Sequence, residues 1–289
     1  MPVDPVLADL LKLLTLEQVE DNIFRGESRD IGSPQVYGGQ VLGQALRAAS
    51  KTVDGRGAHS LHAYFLRRGD VEAPIVYEVD RARDGSSFSN RRVVAIQHGR
   101  QIFNMTASFQ RKESGLEHQA TMPDVPGPDG LTDFRDIKKN VLAKLPERVR
   151  RFLTIDRPFD VRPVDMPDIL SNEKLEPVKH IWMRTKDSVP HDEETNQVLL
   201  AYVSDYELLG TATLPHGLRF VREQVQMASL DHALWFHHSC HFDQWLLFSF
   251  DSPSASGARG LSRGQVFTQD GILVASTAQE GLMRVRKSS

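Results

Sequence analysis

Two hydrophobic periods alternate along the chain. Val6, Leu10, Leu11, Leu13, Leu14, Leu16 and Val19 recur at helical spacing, which predicts a helix over 5–20 with a break near Thr15. The stretch VYGGQVLGQALRAASKTV (36–53) predicts a second helix. Val41, Leu42, Ala45, Leu46, Ala48 and Ala49 give it a broad apolar face, Gly38 and Gly39 stand at its start, and Asp54-Gly55 stop it. Its only charges, Arg47 and Lys51, fall near its end, so it should be buried nearly all round. The glycines at its start would let another backbone approach closely. Strand-like segments follow: HSLHAYFL (59–66), PIVYEVDRAR (74–83), NRRVVAIQ (90–97) and RQIFNMTASFQ (100–110). Short Asp-Gly and His-Gly turns between them predict an antiparallel sheet. Residues 115–135, with MPDVPGPDGL, are Gly-, Pro- and Asp-rich and predict a linker, followed by a mixed helical stretch over 134–153.

The second half repeats the first weakly but in order. RRVVAIQHGRQIFNMTASFQ lies over RGQVFTQDGILVASTAQEG, so that Arg91 meets Arg263, Gln97 meets Gln269 and Gly99 meets Gly271. With one extra residue after Gly99, Thr106-Ala107 meets Thr277-Ala278. YGGQVL (37–42) lies over SLDHAL (229–234), which predicts a second central helix starting there. Each half then reads as a central helix followed by antiparallel strands. A buried helix wrapped by a curved antiparallel sheet is the hot-dog architecture, and two tandem copies make a double hot dog, an α+β fold. The expected boundaries are 1–115 for the first hot dog, 116–150 for the linker and 151–289 for the second.

Composition narrows the function classes. The chain has 289 residues, 40% of them hydrophobic and 25% charged, the range of a soluble globular protein. A formal charge of −3 without a large basic block points away from nucleic acid and anionic membrane surfaces. The single cysteine, Cys240, admits no intramolecular disulfide and fits a reducing compartment. The N-terminus lacks the pattern of a signal peptide. No apolar run reaches the roughly 18 residues of a membrane span. The chain ends RVRKSS rather than in a peroxisomal address. Cytoplasmic location is the expectation.

The most conspicuous chemistry is SLDHALWFHHSCH, which holds His232, His237, His238, Cys240 and His241. His237 and His241 would share a helix face, but Ala233, Leu234, Gln244 and Trp245 offer no third ligand. No metal is expected. GLSRG (260–264) matches a nucleophile elbow around Ser262, but QVFTQDGILVAS after it reads strand-turn-strand, whereas an elbow needs a strand-to-helix turn. Ser229 with Asp231 reads either as a helix N-cap and first-turn acid or as part of a site. Asp205, among the apolar and aromatic residues of LLAYVSDYELLG, is either buried with partners or on the wet face of a helix. Gln279 in VASTAQEGLM is either a solvated strand residue or a site amide.

VYGGQVLGQAL, HSLHAYFLRRGD, RDGSSFSNRRV, QIFNMTASFQ, SLDHALWFHH, WLLF and GQVFTQDGILVASTAQEG, in this order, make the whole chain resemble the acyl-CoA thioesterase II family. The resemblance implies that an Asp, a Thr or Ser, and a Gln hold the hydrolytic water. Carried over by motif, these are Asp205, Ser229 and Gln279, with serine standing where several members have threonine. It implies hydrolysis of fatty acyl-CoA to fatty acid and CoA, with no cofactor and no metal. The repeat places Ser108 at the position of Gln279 and Tyr37 at that of Ser229, so one site per chain is expected. His59 and His62 read as structural. The implied partner is acyl-CoA, with no nucleic acid and no membrane insertion. Open sheet edges predict a homodimer or homotetramer. Two rival readings stay open: a hot-dog dehydratase or hydratase using His232 with Asp231, and a non-catalytic acyl-CoA binding module.

Overall fold

The computed structural model describes residues 4–136, 139–143, 145, 147–166, 171–217 and 225–285. Helix α1 (Pro5–Leu13) begins at Asp4, whose carboxylate accepts from the N–H groups of Val6 and Leu7 at 3.0 and 2.9 Å. The helix ends before Thr15, and Glu17–Glu20 become strand β1, followed by β2 (Ile23–Gly26). The predicted buried helix is α2 (Gly38–Ser50), and the four predicted strands are β3 (Gly57–Phe65), β4 (Ile75–Asp84), β5 (Phe88–Gln97) and β6 (Arg100–Gln110). The linker region carries short helices α3 (Lys139–Leu142) and α4 (Glu147–Thr154). Then come β7 (Phe159–Pro163), β8 (Val178–Thr185), α5 (Glu193–Ser204), α6 (Leu208–Thr211), β9 (Val225–Ser229), β10 (Asp231–Phe236), β11 (Leu246–Ser256), β12 (Arg259–Thr268) and β13 (Leu273–Val285).

One antiparallel sheet holds all the strands, in the order β1-β2-β4-β5-β6-β3-β10-β13-β12-β11-β8-β7, with β9 added beside β13. From the central β3–β10 pair outward the two arms mirror each other. The register carries the same symmetry: Leu61 stands opposite Leu234 and His62 opposite Ala233. This is the double hot dog, with α2 and α5 as its two buried helices.

The second central helix is not where the repeat placed it. Residues 231–236 form a strand, in which His232 and Leu234 turn inward at a period of two. The helix is α5, capped by Asp192, which accepts from Thr195 N–H at 2.7 Å, and carrying Glu193 and Glu194 in its first turn. Helix α5 carries Gln197-Val198-Leu199, the same tripeptide that α2 carries as Gln40-Val41-Leu42. Ser229 is therefore the last residue of a strand and not an N-cap.

The two helices run antiparallel in contact. At one end Arg47 pairs with Glu194 at 2.7 Å and reaches Thr195 Oγ1 at 3.2 Å. At the other, Gly39 lies so close to α5 that an added Cβ would stand 2.0 Å from the Tyr202 carbonyl oxygen. The close approach expected of the glycines is thus made by the C-terminal turn of α5.

The linker is a strap and not a loose tether. Gln119 donates to the Gly271 carbonyl at 2.7 Å and accepts from Leu273 N–H at 3.0 Å, and Trp182 Nε1 donates to the Pro126 carbonyl at 2.9 Å. Met122, Val125 and Leu131 cover Trp182, Leu247, Phe267 and Leu273. Their strand neighbours Ile181, Met183, Leu246, Phe248, Val266 and Val274 belong to the main core instead. Both faces of this part of the sheet are therefore buried, by α5 and by the strap.

Candidate active site

The site forms where the C-terminus of α5 meets the N-terminus of α2. Asp205 is the residue that ends α5. Its carboxylate accepts from three directions: Gln279 Nε2 at 2.6 Å, the Ser229 hydroxyl and the Gly39 backbone N–H. The last of these is a free donor of the first turn of α2, whose positive end faces the charge. Asp205 keeps part of its surface accessible, yet burial outweighs the three donors and raises its carboxyl from 3.8 to about 6. Two residues on, Glu207 adopts a left-handed φ of 59°, an unfavourable conformation for a residue with a side chain, as the chain turns into α6. Glu207 is held there by Lys179 at 2.7 Å.

The structure thus brings together all three residues expected from the sequence. They come from α5, β9 and β13. Gln279, 1% exposed, stands opposite Ser262 in register. Ser262 is buried in the middle of β12, so the elbow-like GLSRG is a plain strand. Ser108 does occupy the equivalent place in the first half: it stands opposite Asn90 as Gln279 does opposite Ser262. The helix end equivalent to Asp205 is Lys51, so the first half lacks the carboxylate. Tyr37, however, is not the counterpart of Ser229. It precedes α2, and its hydroxyl donates to the Tyr202 carbonyl at 2.9 Å, which satisfies an open carbonyl in the last turn of α5. Its ring packs on Tyr202 and Tyr206, and burial, then the charge of Asp205, push its phenol further up, so it stays neutral.

The histidine run disperses once it is a strand. His232 is fully buried behind Gln279, which donates to its Nδ1 at 3.2 Å. His237 Nε2 meets Ser276 Oγ at 2.9 Å, and His241 stacks on His191 with centroids 4.5 Å apart. Burial pushes the Cys240 thiol up to about 12. Among the described residues no group of three or more His, Cys, Asp or Glu side chains is placed to hold a metal ion. His59 and His62 sit on β3, the first with Nε2 2.8 Å from Ser108 Oγ, the second with its ring edge-on to Trp235. Asp231 is engaged by the Glu280 backbone N–H at 2.7 Å. A cavity with Ile181, Met183 and Phe159 on its apolar wall and charged residues such as Arg157 and Glu207 also lining it reaches Tyr206, the residue after Asp205.

Sequence reasoning missed Gly39 as a donor and His232, Ser204 and Thr277 as the shell behind Gln279. Thr277 carried a signal, since a strand places it on the same face as Gln279.

A carboxylate, a hydroxyl and an amide thus meet at the junction of the two helices of a double hot dog. Comparison with known proteins gives the family. Residues 149–282 match the family described as acyl-CoA thioesterase, and residues 25–110 match the acyl-CoA thioesterase N-terminal domain. The chain is 44% identical to acyl-CoA thioesterase 2 of Haemophilus influenzae, over 96% of this chain and 98% of that one. It is 39% identical to human acyl-coenzyme A thioesterase 8, over 95% of this chain and 88% of that one. Among solved structures, an acyl-CoA thioesterase II from Mycobacterium marinum superposes with a TM-score of 0.77 at 41% identity, covering 97% of this chain and 99% of that one. The chain belongs to the acyl-CoA thioesterase II family. No described helix is long and apolar enough to cross a membrane.

Proposed function

We propose that Asp205, Ser229 and Gln279 hold and activate the water with which this acyl-CoA thioester hydrolase cleaves its substrate. The observation that carries this reading is the Asp205 carboxylate, gripped by Gln279 at 2.6 Å, by Ser229 and by Gly39 N–H, and raised to about 6. A base with that affinity for protons is ionised at neutral pH yet accepts a proton readily. Water attacks the thioester carbonyl as Asp205 takes its proton. The carbon–sulfur bond then breaks, and the proton passes to the leaving thiolate, giving a carboxylic acid and CoA thiol. The positive end of α2 favours the negative charge that develops beside it. The dehydratase reading is not favoured: His232 has both ring nitrogens engaged by protein groups, and burial lowers it to about 3.

The test is thiol release from an acyl-CoA series, with and without chelator, across pH. Release should be indifferent to chelator. Below about pH 6, kcat/KM should climb about tenfold per pH unit, then level off as Asp205 ionises. No thiol from any thioester, or release abolished by chelator, would remove the water-site reading.

The cavity that reaches Tyr206 is proposed to take the acyl chain along its apolar wall. Met183 and Ile181 line it from β8, so Met183→Trp should lower kcat/KM for long-chain substrates by about tenfold or more and spare short ones, as lost burial of a few methylenes requires. An unchanged chain-length profile places the chain elsewhere. A cytoplasmic homodimer or homotetramer completes the proposal. The outermost strands argue against plain edge pairing: β1 is four exposed residues including Glu17 and Glu20, and β7 ends in Pro163. The mass at micromolar concentration decides between assembly and monomer.

A further inference from the structure

We infer that His232 is a positioning residue: as a neutral ring with its proton on Nε2, it dictates which way the Gln279 amide faces and so directs the amide carbonyl into the site. The inference rests on the water-site reading above. It follows from counting hydrogens. Ser204 Oγ donates to the Ala201 carbonyl at 3.0 Å, and Thr277 Oγ1 donates to the Ala233 carbonyl at 2.9 Å. Each hydroxyl has one hydrogen, so both can offer only lone pairs to His232 Nε2, which lies 2.9 Å from Ser204 and 3.1 Å from Thr277. Nε2 must therefore carry the proton. The ring is completely buried, so it stays neutral and Nδ1 is left as a bare acceptor.

Among the described residues, the partner of that acceptor is the Gln279 amide, at 3.2 Å. The same amide nitrogen meets Asp205 at 2.6 Å. Its two hydrogens are thus both assigned, one to each acceptor. Turning the amide over would set its carbonyl oxygen against a carboxylate and a bare ring nitrogen at once. The remaining atom, Gln279 Oε1, is buried and has no hydrogen-bond partner among the described residues. A buried acceptor without a partner is costly in a finished core and expected in a site that binds a donor, here the attacking water. Asp205 and Gln279 Oε1 then give that water two acceptors, one to take its proton and one to hold the other.

The experiment compares kcat and KM for thiol release in the wild type and in His232→Leu, His232→Asn, His232→Gln, Gln279→Ala and the double variant Gln279→Ala with His232→Leu. Asn overlays its terminal atoms on Nδ1, whereas Gln reaches only the Nε2 position. His232→Leu and His232→Gln should lower kcat about tenfold or more with KM within about twofold, as expected for a misaligned reacting group. His232→Asn should recover most of the loss. In the Gln279→Ala background, His232→Leu should cost nothing further, because its effect runs through the missing amide. Losses that multiply in the double variant, or equal activity in the Asn and Gln variants, overturn the inference and leave the site reading intact. Full activity in Gln279→Ala overturns the site reading itself.

Discussion

Asp205→Asn lowers kcat by about 10²–10⁴-fold, the range expected for loss of a positioned general base, while leaving the melting temperature at pH 8 no lower than that of the wild type. The combination follows from one number. Raising the carboxyl from 3.8 to about 6 means that ionising it costs about 3 kcal/mol more in the folded site than in water. The folded-state value lies above the unfolded one. The linked stability is therefore complete below about pH 3.8 and is lost as pH rises through about 6. At pH 8 the wild type carries the whole of that penalty, and a neutral amide of the same shape does not. On the proposed reading the protein gives up stability for a base, a trade common where function needs a strained or desolvated group. Thiol-release kinetics beside thermal melts at pH 5 and pH 8 check both halves. An active Asp205→Asn would dismiss the residue from the chemistry, and a melt lowered at pH 8 would deny the penalty.

Gly39→Ala should cost about 3 kcal/mol or more and most of the activity, more than a surface alanine could. The added Cβ would sit 2.0 Å from the Tyr202 carbonyl and 2.4 Å from the Tyr37 ring. The carbonyl is backbone in the last turn of a buried helix, so it cannot rotate away. The helices must part, and parting them withdraws the Gly39 N–H from Asp205. Gly43→Ala, one turn further along, supplies the comparison. There the added carbon would meet a Leu14 methyl at 3.0 Å and the Val198 carbonyl at 3.3 Å, a contact that small movements relieve. Chemical denaturation should rank Gly39→Ala well below Gly43→Ala, and thiol release should follow the same order. Equal stabilities would mean that the helix contact is not what holds the site.

How much of this was legible in the sequence varies by element. The strands of the first half were readable because Tyr77, Val79, Val93, Ala95, Met105 and Ala107 turn inward at alternate positions, and nothing else in those stretches competes with a period of two. Helix α2 was readable from its charge-poor face. Helix α5 was passed over because a six-residue likeness, YGGQVL against SLDHAL, outweighed a tripeptide that two real helices share. Gln197-Val198-Leu199 repeats Gln40-Val41-Leu42 without a gap, while SLDHAL shares only its leucine and its register with a helix it does not form. The error moved the start of the second helix from Glu193 to Ser229, yet the three polar residues still meet in the structure, since their assignment came from motif resemblance and not from the helix. His232 was in view, but its place behind Gln279 was not legible, for a different reason. Its partners Ser204, Thr277 and Gln279 lie on α5 and β13, and no spacing along the chain announces a contact that only the folded sheet creates.

The donor of Gly39 and the acceptor of Asp205 belong to opposite halves of the molecule. Ownership of the proposed machinery is therefore divided: the half with Lys51 at its helix end has no carboxylate there, and the half with Asp205 supplies two of its donors, Gln279 and Ser229, but takes the third, a backbone N–H, from its neighbour. Trading or excising the first repeat would remove one of the three donors of Asp205, and a lesion in the first turn of α2 would reach the carboxylate of the opposite repeat.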